Sequence, residues 1–303
     1  MWTLEAFTFM LFGQSSGIVS GAPKKPIQFL QALHRERVSV ASMIKLGVFA
    51  KWLPTPSWYQ YVEVNDVMNE YFQELADSVD VKNTKTLFAH CSNFEYKNAN
   101  SEPTKLESKQ IIQVFLDLVK LELYRLSNTA CWVLLDIANN KKVQENIYKE
   151  IINDEKVPRW MAATIKESMR LHPISMSQSY FSPKPSILAG YQIPHETSYS
   201  VCVGNLSLNP NYFPDPLKFE PERWFEAKKN VHPGSYQPFG KSPKFCPGAN
   251  MATLLLTNLV RQVLTVYELD ADPNEPVVGQ YAPYLTPPQG LDIAFLARKK
   301  IKD

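Results

Sequence analysis

Along most of the chain apolar residues recur at the three-to-four spacing of a helix. Residues 2–13, beginning Trp2-Thr3-Leu4-Glu5-Ala6-Phe7, read as an amphipathic or buried helix that stops at Gly13. Ala22-Pro23-Lys24-Lys25-Pro26 reads as a breaker, and the next helix is expected from about Ile27 to Val38. Met43 to Trp52 is apolar with two lysines and closes on Leu53-Pro54-Thr55-Pro56. A further helix is expected from about Tyr59 to Ala76, and residues 80–104 read as polar loop. Leu106 to Ile137 predicts one long helix ending at Asn139-Asn140, with another starting near Lys142.

Beyond Pro173 the period shortens. Short extended pieces surround Pro183, Pro185 and Gly190, and Leu206 to Phe225 is irregular and proline-rich. The last long helix is expected from about Asn250 to Tyr267, and Gly290 to Leu296 reads as a strand. The result is a mainly α chain with a small β region.

Composition narrows this picture. A 303-residue chain that is 45% hydrophobic and 20% charged is globular and long enough for a large core. A net charge of +2 gives no strong field that would select nucleic acid or membrane. The four cysteines, Cys91, Cys131, Cys202 and Cys246, are scattered without a CxxC pair, so they outline neither a disulfide framework nor a zinc site. The start lacks a basic n-region, and no uncharged run is long enough to span a bilayer. Gly13-Gln14-Ser15-Ser16-Gly17 matches the G-x-S-x-G form of a nucleophile elbow. An elbow needs a strand before it, and here a helical run precedes it, which argues against a serine hydrolase.

The chemistry gathers around Cys246. It lies in Phe239-Gly240-Lys241-Ser242-Pro243-Lys244-Phe245-Cys246-Pro247-Gly248, ahead of an apolar run that starts a helix. Glycines allow close backbone approach to a flat ligand, and a helix N-terminus favours a nearby thiolate. A lone thiolate held this way can be the axial ligand of haem iron, and the alternative is a buried cysteine beside a turn. Upstream lies Ile165-Lys166-Glu167-Ser168-Met169-Arg170-Leu171-His172-Pro173. Glu167 and Arg170, three apart, face one side of a helix. Between this segment and Cys246 stands Phe219-Glu220-Pro221-Glu222-Arg223-Trp224, and Arg223 could join the pair in a buried cluster.

In order and spacing these segments resemble the ExxR, PERF/PERW and FxxGxxxCxG signatures of the cytochrome P450 family, of the mitochondrial animal type. The resemblance implies the C-terminal two thirds of a P450 fold, from helix E to the C-terminus, with residues 1–303 as a single domain lacking the usual N-terminal third. It implies haem b (iron protoporphyrin IX), with Cys246 as the iron ligand and Phe239, Gly240, Lys244 and Gly248 in the haem-binding loop. It gives Glu167, Arg170 and Arg223 a structural role, locking the meander under the haem. Met43 to Trp52 would correspond to a region that often meets a membrane surface; the alternative is a connector packed on the core. The implied location is mitochondrial, on the inner membrane.

Departures from the family pattern change the expectation. Ser242 replaces a glycine, and Lys244 replaces an arginine, keeping a cation for a haem propionate but not a bidentate contact. The A-G-x-[DE]-T-T run of the oxygen-activating helix becomes Leu121-Glu122-Leu123-Tyr124-Arg125-Leu126. Glu122 then stands for the glycine, Tyr124 for the acid and Arg125 for the first threonine. Lys166 keeps one basic position used to meet a ferredoxin, while Ala162, Ala249 and Asn250 lose others. The implied function is a haem-thiolate monooxygenase acting on a lipophilic, sterol-like small molecule with electrons from a ferredoxin-type partner. The alternative is a catalytically impaired P450-like protein that binds haem or lipid.

Overall fold

Most of the long helices form close to where the sequence pattern places them, in a computed structural model that describes residues 1–21, 23–47, 49, 54–82, 85–97, 102–155, 158–226, 231–232, 234–241, 245–272, 277–281, 285–288 and 291–298. The chain divides into two units, Met1–Tyr124 and Arg125–Asp303.

In the first unit, α1 (Trp2–Phe12) buries Leu4, Phe7 and Leu11 completely, a spacing that makes one continuous stripe. It stops at Gly13, whose φ of 73° is left-handed and whose absent Cβ would fall 2.7 Å from Thr86 Cγ2. The helix α2 (Lys24–Leu46) starts earlier and ends later than its pattern predicts. Pro26 does not break it, because the first turn of a helix has no intrahelical use for its N–H groups. Of the Met43–Trp52 run, Met43 to Leu46 thus belong to α2, while 48 and 50–52 lie outside the described residues. The helix α3 (Pro56–Asp77) begins on proline, with the Thr55 hydroxyl accepting from Trp58 N at 3.3 Å.

Residues 80–104 are not simply loop. They hold α4 (Leu87–Asn93), capped by the Thr86 hydroxyl on Ala89 N at 3.1 Å, and the strand β1 (Glu95–Lys97). That strand pairs antiparallel with β2 (Pro103–Lys105). Both are too short for periodicity to reveal. The core of this unit is aromatic: Phe12 meets Phe72, Phe88 and Phe115 at centroid distances of 5.3, 5.8 and 5.8 Å. Phe29 stacks on Phe72 at 5.2 Å.

The G-x-S-x-G segment serves Glu5 of α1. Its carboxylate accepts from the Ser15 and Ser16 hydroxyls and from the backbone N–H of Gly17 and Ile18. Burial pushes the Glu5 carboxyl up, but the four hydrogen bonds outweigh it and hold the group below the usual carboxylate range. Neither serine stands at a strand-to-helix elbow.

The boundary between the units falls within α5 (Ser108–Asn139). The second unit continues with α6 (Lys141–Ile152) and α7 (Arg159–Leu171). Glu150 of α6 caps α7, accepting from Trp160 N at 2.5 Å and Met161 N at 3.0 Å. Near the end of α5, Trp132 lies flat on His172 at 4.0 Å, and Asp136 Oδ1 is 3.2 Å from His172 Nε2.

Then come β3 (Gln178–Phe181), β4 (Ser186–Leu188), β5 (Tyr191–Ile193) and β6 (Ser198–Val201), paired antiparallel as β3 with β6 and β4 with β5. A short α8 (Val203–Ser207) runs into the first two residues of the stretch predicted to be irregular. A 3₁₀ turn follows at Pro221–Trp224. The last long helix, α9 (Ala249–Val266), leads directly into β7 (Tyr267–Asp270). The hairpin β8 (Gln280–Tyr281) with β9 (Leu285–Thr286) precedes β10 (Ala294–Ala297), which pairs with β7. The expected terminal strand thus begins later than Gly290. Gln144 of α6 fixes β7 by exchanging two hydrogen bonds with the Leu269 backbone, at 2.9 and 2.7 Å.

Candidate functional site

A buried charged cluster joins α7 to the 3₁₀ turn in the second unit. Glu167 and Arg170 are wholly buried on α7 and form a bidentate pair, Nε to Oε2 at 3.0 Å and Nη2 to Oε1 at 2.9 Å. Arg223, from the 3₁₀ turn, donates Nε to Glu167 Oε1 at 2.9 Å. Trp224 Nε1 donates to Oε2 at 2.8 Å, and Glu220 N to Oε1 at 3.0 Å. One buried carboxylate thereby accepts five hydrogen bonds. That density is what makes a buried negative charge tolerable.

The arginines spend their remaining donors on backbone. Arg170 Nη1 reaches the carbonyls of Ser207 at 2.9 Å and Pro216 at 2.7 Å, and Nη2 that of Lys218 at 3.3 Å. Arg223 reaches the carbonyls of Pro214 at 3.1 Å and Lys218 at 3.4 Å. Segment 208–220 has no regular ladder, so its carbonyls need outside donors. Two forked guanidiniums supply them while sharing one counter-charge. The Phe213 ring closes the cluster 5.1 Å from the Arg170 guanidinium carbon.

Downstream, the chain turns twice before the cysteine loop. Ser235 N donates to His232 O at 3.1 Å, and Gly240 N to Gln237 O at 3.2 Å. Gly240 adopts φ of 76°, which a side chain would resist. The loop then closes on itself, with Cys246 N donating to Phe239 O at 2.8 Å. Cys246 is half-buried, and Gly248 stands at the cap of α9. A Cβ on Gly248 would lie 3.7 Å from Cys246 Sγ, filling the space beside the sulfur. Phe239, Gly240, Cys246 and Gly248 therefore share one loop. Lys244, with Ser242 and Pro243, lies outside the described residues.

The donor set suits a haem. Among the described residues no three His, Cys, Asp or Glu side chains converge as a metal cage. A single half-buried sulfur with Gly248 beside it would suit a metal that brings its other ligands with it.

The α5 positions part company. Glu122 and Arg125, three apart, share a side of the helix, while Tyr124 turns elsewhere. The Arg37 guanidinium of α2 lies 3.6 Å from the Tyr124 ring centroid. Burial pushes the Tyr124 hydroxyl up, against the opposing pull of Arg37. The Arg125 carbonyl accepts from the Thr129 hydroxyl at 2.9 Å.

Two members of this site escape the sequence reading. Trp224 is inside a quoted motif, but only the fold shows its indole N–H on Glu167. Tyr236 packs on Trp224 at 4.5 Å, and its buried hydroxyl has no partner among the described residues. Burial and the nearby Glu167 charge push that phenol up, with Arg170 opposing.

Helices, small antiparallel pairs and a one-cysteine loop ahead of the last long helix define the class, and sequence comparison gives the family. The family described as Cytochrome P450 matches residues 2–295, and the chain belongs to it. It is 24% identical over 310 residues to the mitochondrial 1,25-dihydroxyvitamin D(3) 24-hydroxylase of Mus musculus, covering 98% of this chain and 59% of that protein. It is 25% identical to the mitochondrial sterol 26-hydroxylase of Mus musculus, covering 98% and 60%. The mitochondrial cholesterol side-chain cleavage enzyme of Mus musculus is 26% identical, with 93% and 59% covered. The crystal structure of the cytochrome P450DA heme domain superposes with a TM-score of 0.76 at 16% identity, covering 98% of this chain and 64% of that one. The chain thus spans about three fifths of the length of these relatives.

Proposed function

We propose that this chain is a haem-thiolate monooxygenase of mitochondrial type, a single P450 domain corresponding to helix E through the C-terminus. Its substrate would be a lipophilic small molecule of sterol-like character, and a ferredoxin-type protein would supply electrons. The relatives are named for sterols and vitamin D, which supports the substrate class. Their names also support a mitochondrial location. No helix among the described residues is long and apolar enough to cross a membrane.

The observation that carries the reading is the closed Cys246 loop in the same unit as the five-fold hydrogen-bonded Glu167. Haem, when bound, supplies the oxygen-activating redox chemistry. Cys246 would hold its iron, Gly240 and Gly248 would let the loop lie close, Phe239 would pack beside it, and Lys244 would meet a propionate. Glu167, Arg170 and Arg223 hold the backbone upstream of that loop. No acid–alcohol pair stands at Tyr124–Arg125 to move protons.

The test is the reduced carbon monoxide spectrum of the purified chain loaded with haem. A thiolate-type band is expected, and Cys246→Ala should abolish it. A normal band in the alanine variant would remove Cys246 from the site. The second reading, a haem- or lipid-binding relative with impaired catalysis, is favoured by Tyr124, which packs under Arg37. It is distinguished by a normal thiolate band without product formation.

A further inference from the structure

We infer that Trp224 and Tyr236 form a positioning pair that carries the rigidity of the Glu167 cluster into the Cys246 loop. The inference rests on the reading of Cys246 as the functional thiol. Side-chain contacts join Glu167, Trp224 and Tyr236, and the backbone carries the link on to Phe239 and Cys246. Glu167 Oε2 accepts from Trp224 Nε1 at 2.8 Å, which fixes the plane of the indole. Trp224 meets the Tyr236 ring at 4.5 Å, with planes inclined by 52°. Tyr236 stands between the two turns, His232–Ser235 and Gln237–Gly240. The second turn ends beside Phe239, whose carbonyl receives Cys246 N at 2.8 Å.

The work is done by the ring and not by the hydroxyl. Tyr236 is half-buried as a residue, but its hydroxyl is buried and has no partner among the described residues. A buried hydroxyl without a partner contributes no holding force. The aromatic face does, because it packs on an indole that cannot rotate without breaking its bond to a buried carboxylate. The turns on either side are short and closed by backbone hydrogen bonds, so a shift of the ring moves Phe239 and, with it, Cys246. Trp224 and Tyr236 are positioning residues, since neither is expected to touch the cofactor.

The test uses the full chain and reads thiol reactivity as well as the haem spectrum. In haem-free protein, maleimide labelling is followed at Cys246 and at the half-buried Cys91, which reports general loosening. Tyr236→Leu should raise the Cys246 rate about tenfold relative to Cys91, as local opening of the loop becomes easier. Tyr236→Phe should match wild type. Trp224→Phe, which keeps a ring but loses the N–H, should also raise the Cys246 rate, and it serves if the leucine variant fails to fold. In loaded protein, Tyr236→Leu should shift the carbon monoxide band away from the thiolate position while Tyr236→Phe retains it. Unchanged Cys246 labelling in Tyr236→Leu or Trp224→Phe would overturn the inference. So would a Tyr236→Phe rate as fast as that of Tyr236→Leu, which would assign the role to the hydroxyl. A wild-type chain that binds no haem would sink the functional reading alone, because the labelling arms do not need the cofactor.

Discussion

At the scale of single residues, Glu167 decides most. Its side chain is fully buried, and every neighbour that matters donates to it. Glu167→Gln keeps the shape but removes the charge that two guanidiniums share, and the amide N–H₂ would face donors. The expected loss of stability is about 3–5 kcal/mol, measured by denaturant or thermal unfolding of the full chain. Glu220→Gln is the control: that carboxylate touches Arg223 at 3.2 Å from a more exposed position and should cost under about 1 kcal/mol. Equal effects of the two would show that the cluster is no unit. The pairing of Glu167, Arg170 and Arg223 was legible from spacing, because i and i+3 fix a shared helix face. The Trp224 bond was not legible, since nothing in a sequence tells which way an indole points out of a 3₁₀ turn.

At the scale of elements, α1 is tied to the segment after it through Glu5. The Glu5 carboxyl lies below its usual value, so its contribution is present above the unfolded value of about 4.5 and is lost as pH falls through the folded value. Glu5→Gln should therefore lower the melting temperature at neutral pH and flatten its fall below pH 4.5. Parallel acid limbs in the two proteins would contradict this. Long periodic elements such as α3 and α5 were legible to within a few residues. The end of α2 was not, because residues 39–46 continue the helix past Val38 into the apolar run that was read apart from it. The pair β1 and β2 was hidden for another reason. Three-residue strands carry no alternation, and their pairing depends on a partner across a turn.

At the scale of the whole molecule, the chain keeps the parts that would hold a cofactor and changes the parts that would move protons. Turnover is expected to be slow, with little product for each reducing equivalent consumed. A proton relay typically contributes 10²–10⁴-fold. Glu122→Gly, Tyr124→Asp and Arg125→Thr, made together, should raise the ratio of product to reducing equivalents consumed. Efficient coupling in the unaltered chain would show that the α5 register is misassigned. The Glu167 cluster has one more consequence, for the order in which the second unit assembles. Apart from the local Glu167–Arg170 pair, the bonds that α7 makes in it join partners 37 to 57 positions apart, so these cannot form until the intervening chain has come round. Such closures are slow compared with the winding of α7, which needs only local contacts. The helix that bears Glu167 can thus form early, while the 208–220 segment docks later. On that timetable a haem held as proposed would meet a newly made chain with α7 already wound and the segment upstream of Cys246 still to dock.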